Sequence, residues 1–333
     1  MREIAFYEFL AFASRQSDLI TSCMDLIDSS STKLSWQSMG YILSCHHTIF
    51  EPSALAFLET EESILKRIKD VCTGSNLLKR LALIVAYQAG DEVVTSAFKS
   101  YIDTFITIKA AINSLSKISP LTCRYYGVID LQSMKDNKTL SPTTTAMSYP
   151  HLLIENITSI FRHPNIIDLK MGTQTYEPSA PESKQLREIQ KYTQQAEFGF
   201  RIVGMRVYDR ITDEYICKEK SFGAGLLTKD KVIEALRFFF RVAGDSSNTN
   251  YSSIVRQLKT LQDWFENHNS NYSFYGGSIL FVYEGFEHNN LPEPAVKMID
   301  FAHVCQKQGG DDGCLKGIKT LLQMLHEIRS TIT

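Results

Sequence analysis

Residues 164–172 read PNIIDLKMG, an apolar run broken by one acid and one base. On a β-strand alternate residues share a face, so Ile167, Leu169 and Met171 point one way and Asp168, Lys170 and Gly172 the other. An aspartate and a lysine on such a strand are costly to bury unless they face a cleft or pair with each other. Two readings follow. In one, the carboxylate orients a hydroxyl or a ribose while the lysine stabilises transferring phosphoryl oxygens. In the other, the two form a structural ion pair at a strand edge.

The texture around this stretch is aromatic and β-branched. It predicts further strands over Cys123–Leu131, His151–Glu155, Gly199–Tyr208, Ser278–Glu284 and Val296–Phe301, with a strand core at Ile166–Met171. Helices are predicted at Thr228–Val242, Ser253–Asn267 and Gly317–Ile328. In the second of these Ile254, Leu258, Leu261 and Phe265 form one face. Residues 11–118 read as helical throughout. Their clearest piece is Glu92–Leu115, where Val94, Phe98, Tyr101, Phe105, Ile108, Ile112 and Leu115 recur at steps of four and three. Strands and helices mix without a regular βαβ alternation, which predicts an α+β fold.

Composition narrows the function classes. Lys and Arg total 35 and Asp and Glu 37, a formal charge of −2. That balance argues against a protein that coats nucleic acid, which needs a basic surface. The longest apolar stretch, Leu81–Ala86, falls far short of the ~20 residues that span a bilayer, and acids at Glu3 and Glu8 interrupt the apolar residues of the N-terminus. The seven cysteines are odd in number and show no CxxC spacing, so reduced thiols in a cytoplasmic or nuclear protein are expected. Cys45, His46 and His47 lack a second ligand pair nearby and are not read as a zinc site.

Two other stretches carry chemistry. In VKMIDFAH, 296–303, an apolar strand runs into Asp300 and then His303. A carboxylate at a strand end can hold Mg²⁺ against nucleotide phosphates, although aspartate is also a common turn former. His303 alone reads equally as a packed or hydrogen-bonded histidine. In APESKQLREIQKY, 180–192, Lys184, Arg187 and Lys191 project from one face of a predicted helix. A row of cations suits a compact polyanion; the competing reading is a solvated face laced with Glu182 and Glu188.

Together these stretches resemble the inositol polyphosphate kinase family. PNIIDLKMG fits that family's PxxxDxKxG signature, SILFVYEG at 278–285 stands in the place of its Ser-Leu-Leu strand, and IDFAH follows at 299–303. Lesser echoes are LLIEN at 152–156, TYEPSAPESK at 175–184, GFRIVGMRVY at 199–208 and DDGCLKGIKTLL at 311–322. The wording TYEPSA with FVYEG is most similar to the multikinase branch.

The resemblance implies a two-lobed, kinase-like α+β fold with an antiparallel N-lobe sheet and a larger C-lobe. Residues 1–157 would form the N-lobe, with an all-helical insert at about 11–118. Residues 158–333 would form the C-lobe, with a helical segment for the inositol phosphate at about 174–198. It implies an ATP- and Mg²⁺-dependent kinase acting on inositol phosphates. Glu155, Asn156 and Ile157 would be the hinge that reads adenine, Asp168 would contact the ribose, and Lys170 would reach the reacting centre. Asp300 would hold the metal and phosphates, with Ser278 near it. Lys184, Arg187, Lys191, Lys220 and His303 would contact the inositol ligand.

Three departures from the family pattern stand out. Only Met1 and Arg2 precede Glu3, so the hairpin that carries a lysine for the α- and β-phosphates is expected to be missing, leaving Glu3 or Glu8 without its cationic partner. The helical insert interrupts the lobe. Ala224 stands where an arginine is common. The alternative function is therefore a catalytically impaired, inositol-phosphate-binding scaffold, with the insert as a surface for a protein partner.

Overall fold

The structure, a computed structural model, describes residues 3–4, 6–8, 10–11, 114–130, 150–241, 247–286 and 291–329. The chain divides into two compact units, one made of Met1–Ile4 with Ile118–Thr333, the other of Ala5–Lys117. Of the second unit only residues 6–8, 10–11 and 114–117 are described, and all are helical. The expected insert at 11–118, its helix at Glu92–Leu115 included, otherwise lies outside the described residues.

The larger unit is built on antiparallel pairing. Strands β1 (Tyr125–Asp130) and β2 (Pro150–Ile154) form a two-stranded ladder. The main sheet holds β3 (Pro164–Met171), β4 (Phe200–Asp209), β5 (Glu214–Lys218), β7 (Ser278–Glu284) and β8 (Ala295–Ile299) in the order β5-β4-β3-β7-β8. A third ladder joins β6 (Tyr272–Phe274) to β9 (Val304–Gln306). The helices are α1 (Glu182–Lys191), α2 (Gln195–Phe198), α3 (Lys220–Ala224), α4 (Lys229–Arg241), α5 (Ser247–Asn267) and α6 (Asp312–Arg329). The fold is α+β, as the unalternating order of elements predicts.

The central strand β3 keeps the two-faced pattern read from its sequence: Ile167, Leu169 and Met171 are buried while Asp168 and Lys170 are not fully so. Its apolar face continues into Ile279 and Phe281 of β7 and is covered by α6, which packs on β3 and β4. Behind it α4, α5 and α6 share a core of Leu236, Phe239, Leu258, Leu261, Ile318 and Leu321, all fully buried. Each such side chain contributes about 1.5–3 kcal/mol through removal from water. The other face of the sheet is left for Asp168 and Lys170 to line.

Several boundaries differ from those the sequence predicts. Helix α6 starts at Asp312 rather than Gly317, because Asp311 caps it: the Asp311 carboxylate accepts from Cys314 N–H at 2.8 Å and from Phe274 N–H at 2.7 Å. Gly317 inside that helix is a contact point rather than a helix start. A Cβ there would lie 2.0 Å from the Gly199 carbonyl oxygen, so the pair lets α6 approach the α2–β4 corner. Helix α5 begins six residues earlier than expected, at Ser247. Strand β8 ends at Ile299, short of the expected Phe301, because Asp300 turns into the left-handed region with φ 66°.

One buried carboxylate ties the entrance of β3 to the end of β7. Glu284 accepts from the backbone N–H of Arg162 at 2.6 Å and of His163 at 2.8 Å. Those bonds satisfy a charge that would otherwise be costly to bury, and they fix where β3 begins.

Candidate active site

The sheet register gathers the chemistry. Lys170 on β3 lies opposite Ser278 on β7, and Ser278 lies opposite Ile299, the residue before Asp300. Positions far apart in the chain thus meet at neighbouring strand ends. Lys170 Nζ donates to Asp300 Oδ2 at 2.8 Å and to the Gly276 carbonyl at 2.7 Å. On the other side of β3 the ladder with β4 slips between Asp168 and Leu169, a β-bulge that sets Arg201 opposite Lys170.

These residues line one cleft of about 680 Å³. Asp168, Lys170, Arg201 and Asp300 come from the sheet and its ends, Lys184, Glu188 and Lys191 from α1, Lys220, Ser221 and Ala224 from α3, and Thr175 and His303 from loops. Lysines and arginines outnumber acids in this lining, which suits an anionic ligand.

Asp168 is the unusual group. Its Oδ1 and the Ser278 hydroxyl are both buried, and the two side chains face each other. Burial pushes the Asp168 carboxyl above the usual carboxylate range. The nearby Ser278 hydroxyl, Lys170 and Lys220 oppose that rise, and the Asp300 charge adds to it. A desolvated carboxyl lining a cleft is a candidate for ligand contact.

The rest of the lining is held in place by neighbours. Burial alone would raise Glu188, but Lys191, 2.5 Å away, together with Arg201 and Thr175, holds it below its usual value. Burial also pulls the Arg201 guanidinium below the ordinary arginine value, opposed by Glu188 and Asp168. His303 Nδ1 lies 2.6 Å from Glu177 Oε1, so it is both hydrogen-bonded and part of the lining. Helix α3 is pressed onto β4 through Gly223, where a Cβ would sit 1.8 Å from the Ile202 carbonyl oxygen; this close fit places Lys220. Glu3, whose expected partner was a lysine, accepts the backbone N–H of Phe301 at 3.2 Å, immediately after Asp300.

Of the residues singled out from sequence, Asp168, Lys170, Lys184, Lys191, Lys220, Asp300 and His303 come together in the cleft. Ser278 lies beneath it. Arg187 is exposed on α1 and outside the lining. Glu155, Asn156 and Ile157 follow β2 and are also outside it. The Glu155 carboxylate accepts from Arg124 N–H at 3.1 Å, and Asn156 Oδ1 accepts from Thr158 N–H and Oγ1. Arg201 was missed, although it lies within the quoted GFRIVGMRVY. Its placement between buried Phe200 and Ile202 marks the opposite strand face, but only the register shows that this face meets Lys170.

Asp300 offers hard oxygen donors for a divalent ion at the cleft, with the Asp168 carboxyl nearby. Among the described residues no group of three or more His, Cys, Asp or Glu gathers as a metal cage. That donor set fits Mg²⁺, which binds through one or two carboxylates and completes its shell with water and phosphate oxygens.

A family model described as inositol polyphosphate kinase matches residues 151–326, just over half the chain. The inositol polyphosphate multikinase of Mus musculus is 33% identical over 162 residues, which covers 49% of this chain and 37% of that protein. The inositol hexakisphosphate kinase 3 of Homo sapiens is 30% identical over 211 residues, 54% of this chain and 51% of that one. The chain thus spans about half the length, or less, of these curated relatives. Among solved structures, an inositol phosphate multikinase of S. cerevisiae in complex with ADP and Mn²⁺ shares the fold with a TM-score of 0.52 at 21% identity. The match covers 64% of this chain and 90% of that one.

Proposed function

Because the chain belongs to the inositol polyphosphate kinase family, we propose that it transfers the γ-phosphoryl group of ATP to a hydroxyl of an inositol phosphate. The observation that carries this reading is the convergence of Asp168, Lys170 and Asp300 at one rim of a cation-rich cleft. Phosphoryl transfer asks little covalent chemistry of a protein; it asks for positioning and for charge placed where negative charge develops.

The roles divide by chemistry. Asp168, a desolvated carboxyl in the cleft lining, accepts a hydrogen bond from a nucleotide hydroxyl. Asp300, half-exposed at the end of β8, would hold the divalent ion, with the Ser278 hydroxyl beside it. When bound, that ion supplies charge neutralisation for the nucleotide phosphates. Lys170 Nζ sits between the two halves of the cleft and balances charge at the transferring group. Lys184, Lys191 and Lys220 draw in the polyanionic acceptor, and His303 faces it. The adenine contact by Glu155, Asn156 and Ile157 remains part of this proposal.

A binding-only scaffold would be favoured by a cleft with no cation within reach of Asp300, and Lys170 lies 2.8 Å from it. The test is a radiolabelled-ATP assay with Mg²⁺ over a panel of inositol phosphates, resolved by chromatography. Wild-type chain is expected to yield a more highly phosphorylated product, and Asp300→Asn to yield none while melting normally. Product formation by Asp300→Asn at the wild-type rate would overturn the assignment; ligand binding without turnover by the wild type would favour the scaffold.

A further inference from the structure

Arg201 and Lys170 are paired directly across β3 and β4. Like charges opposite each other in a ladder repel, a cost of a few tenths to about 1 kcal/mol. Lys170 has Asp300 to balance it. Arg201 feels the charges of Glu188 and Asp168 only from beyond ion-pair distance, and its hydrogen bond runs from Nη1 to the neutral Gln195 Oε1 at 3.1 Å. A guanidinium carries five N–H donors in a planar fork, and this one is partly desolvated in the wall of the cleft.

The side chain is held rather than loose. Gln195 is buried, and its Nε2 donates to the Gly172 carbonyl at 2.6 Å while its Oε1 receives Arg201. Gln195 therefore links the Arg201 fork to the backbone just past the end of β3, at Gly172, two residues beyond Lys170. A fork fixed in this way has lost its freedom before any ligand arrives, which favours binding.

Resting on the kinase reading above, we propose that Arg201 is a specificity-determining residue that grips, through two parallel hydrogen bonds, a phosphate group of the acceptor, and that Gln195 is the positioning residue that aims it. Arg201 and Lys170 stand at paired positions of adjacent strands and line the same cleft, so they address neighbouring parts of one bound acceptor. With Lys170 at the reacting centre, the phosphate read by Arg201 is the one beside the attacked hydroxyl. The preferred acceptor is thus an inositol phosphate already phosphorylated next to the position that reacts.

The test is calorimetric titration of inositol trisphosphate into the whole chain, without ATP, for wild type, Arg201→Lys, Arg201→Gln, Gln195→Met and the Gln195→Met/Arg201→Lys double variant, with thermal melts as a check on folding. Lysine keeps the charge and lacks the fork, so Arg201→Lys is expected to weaken binding about tenfold or more, which is about 1.4 kcal/mol. Gln195→Met is expected to weaken it less. The double variant should bind no worse than Arg201→Lys alone, because Gln195 acts through Arg201. A purely structural role for Gln195 would instead make the losses multiply, which would overturn the positioning claim. In turnover, isomers of equal phosphate number should be ranked by whether a phosphate neighbours the reacting hydroxyl, and Arg201→Gln should flatten that ranking through KM. Wild-type affinity in Arg201→Lys overturns the inference alone. No binding by the wild type overturns the kinase reading and the inference with it.

Discussion

Replacing Lys170 by methionine separates catalysis from stability. Methionine keeps most of the buried stem and removes only the ammonium. The lost ion pair joins a lysine side chain 19% exposed to an aspartate 50% exposed. With half of Asp300 in water, that pair is worth about 1 kcal/mol at most. The lost bond to the Gly276 carbonyl adds about 1 kcal/mol, and relief of the repulsion with Arg201 returns a few tenths. The net cost is about 1–2 kcal/mol. At about 2–4 °C per kcal/mol for domains of 150–250 residues, Tm falls by no more than about 8 °C. Loss of a preorganised charge from a transition state costs far more, about 10²–10³-fold in kcat. Initial rates with ATP and an inositol phosphate, measured beside thermal melts by circular dichroism, compare the two. A variant within about threefold of the wild-type kcat would refute the role given to Lys170. A Tm drop far beyond the ledger would show that Lys170 is a structural keystone instead.

Asp168→Asn is expected to stabilise the unliganded chain at neutral pH. The folded-state carboxyl is raised above its unfolded value, chiefly by burial, so its contribution is fully present below the ordinary aspartate pKa and is lost as pH rises through the raised value. The Tm advantage of the asparagine variant should therefore be largest near about pH 8 and shrink towards about pH 4; an advantage that grows on acidification would contradict this. Gly223→Ala should push α3 off β4, because its Cβ would meet the Ile202 carbonyl oxygen at 1.8 Å. Overpacking of this kind costs about 1–3 kcal/mol, and the displaced Lys220 should weaken inositol phosphate binding in the same preparation. Unchanged melting and binding together would refute the close fit.

The period of two in PNIIDLKMG made the faces of β3 legible, and its position at a strand end made the aspartate in VKMIDF legible as a candidate that the cleft brings beside Lys170. What the chain order could not supply was register. Nothing in GFRIVGMRVY says that a bulge after Asp168 sets Arg201 against Lys170. Helix α1 shows the limit of spacing: at about 100° per residue, Lys184 and Lys191 nearly eclipse and Glu188 stands beside them. Arg187 lies about a sixth of a turn round and faces out. The short strands β5, β6 and β9 and the helix α3 carry too few residues for a period to appear. Gly313 and Gly317 disguised the first turn of α6, because glycines demanded by packing look like glycines that end a helix.

The left-handed turn at Asp300 restricts which acid can stand there. Aspartate and asparagine enter that backbone region at modest cost because their short side chains bond locally; longer side chains do so rarely. Glutamate would preserve the negative charge and forfeit the conformation, while asparagine would preserve the conformation and forfeit the charge. The ordinary interchange of the two acidic amino acids is thereby closed at this position by main-chain geometry, independently of any demand the chemistry makes.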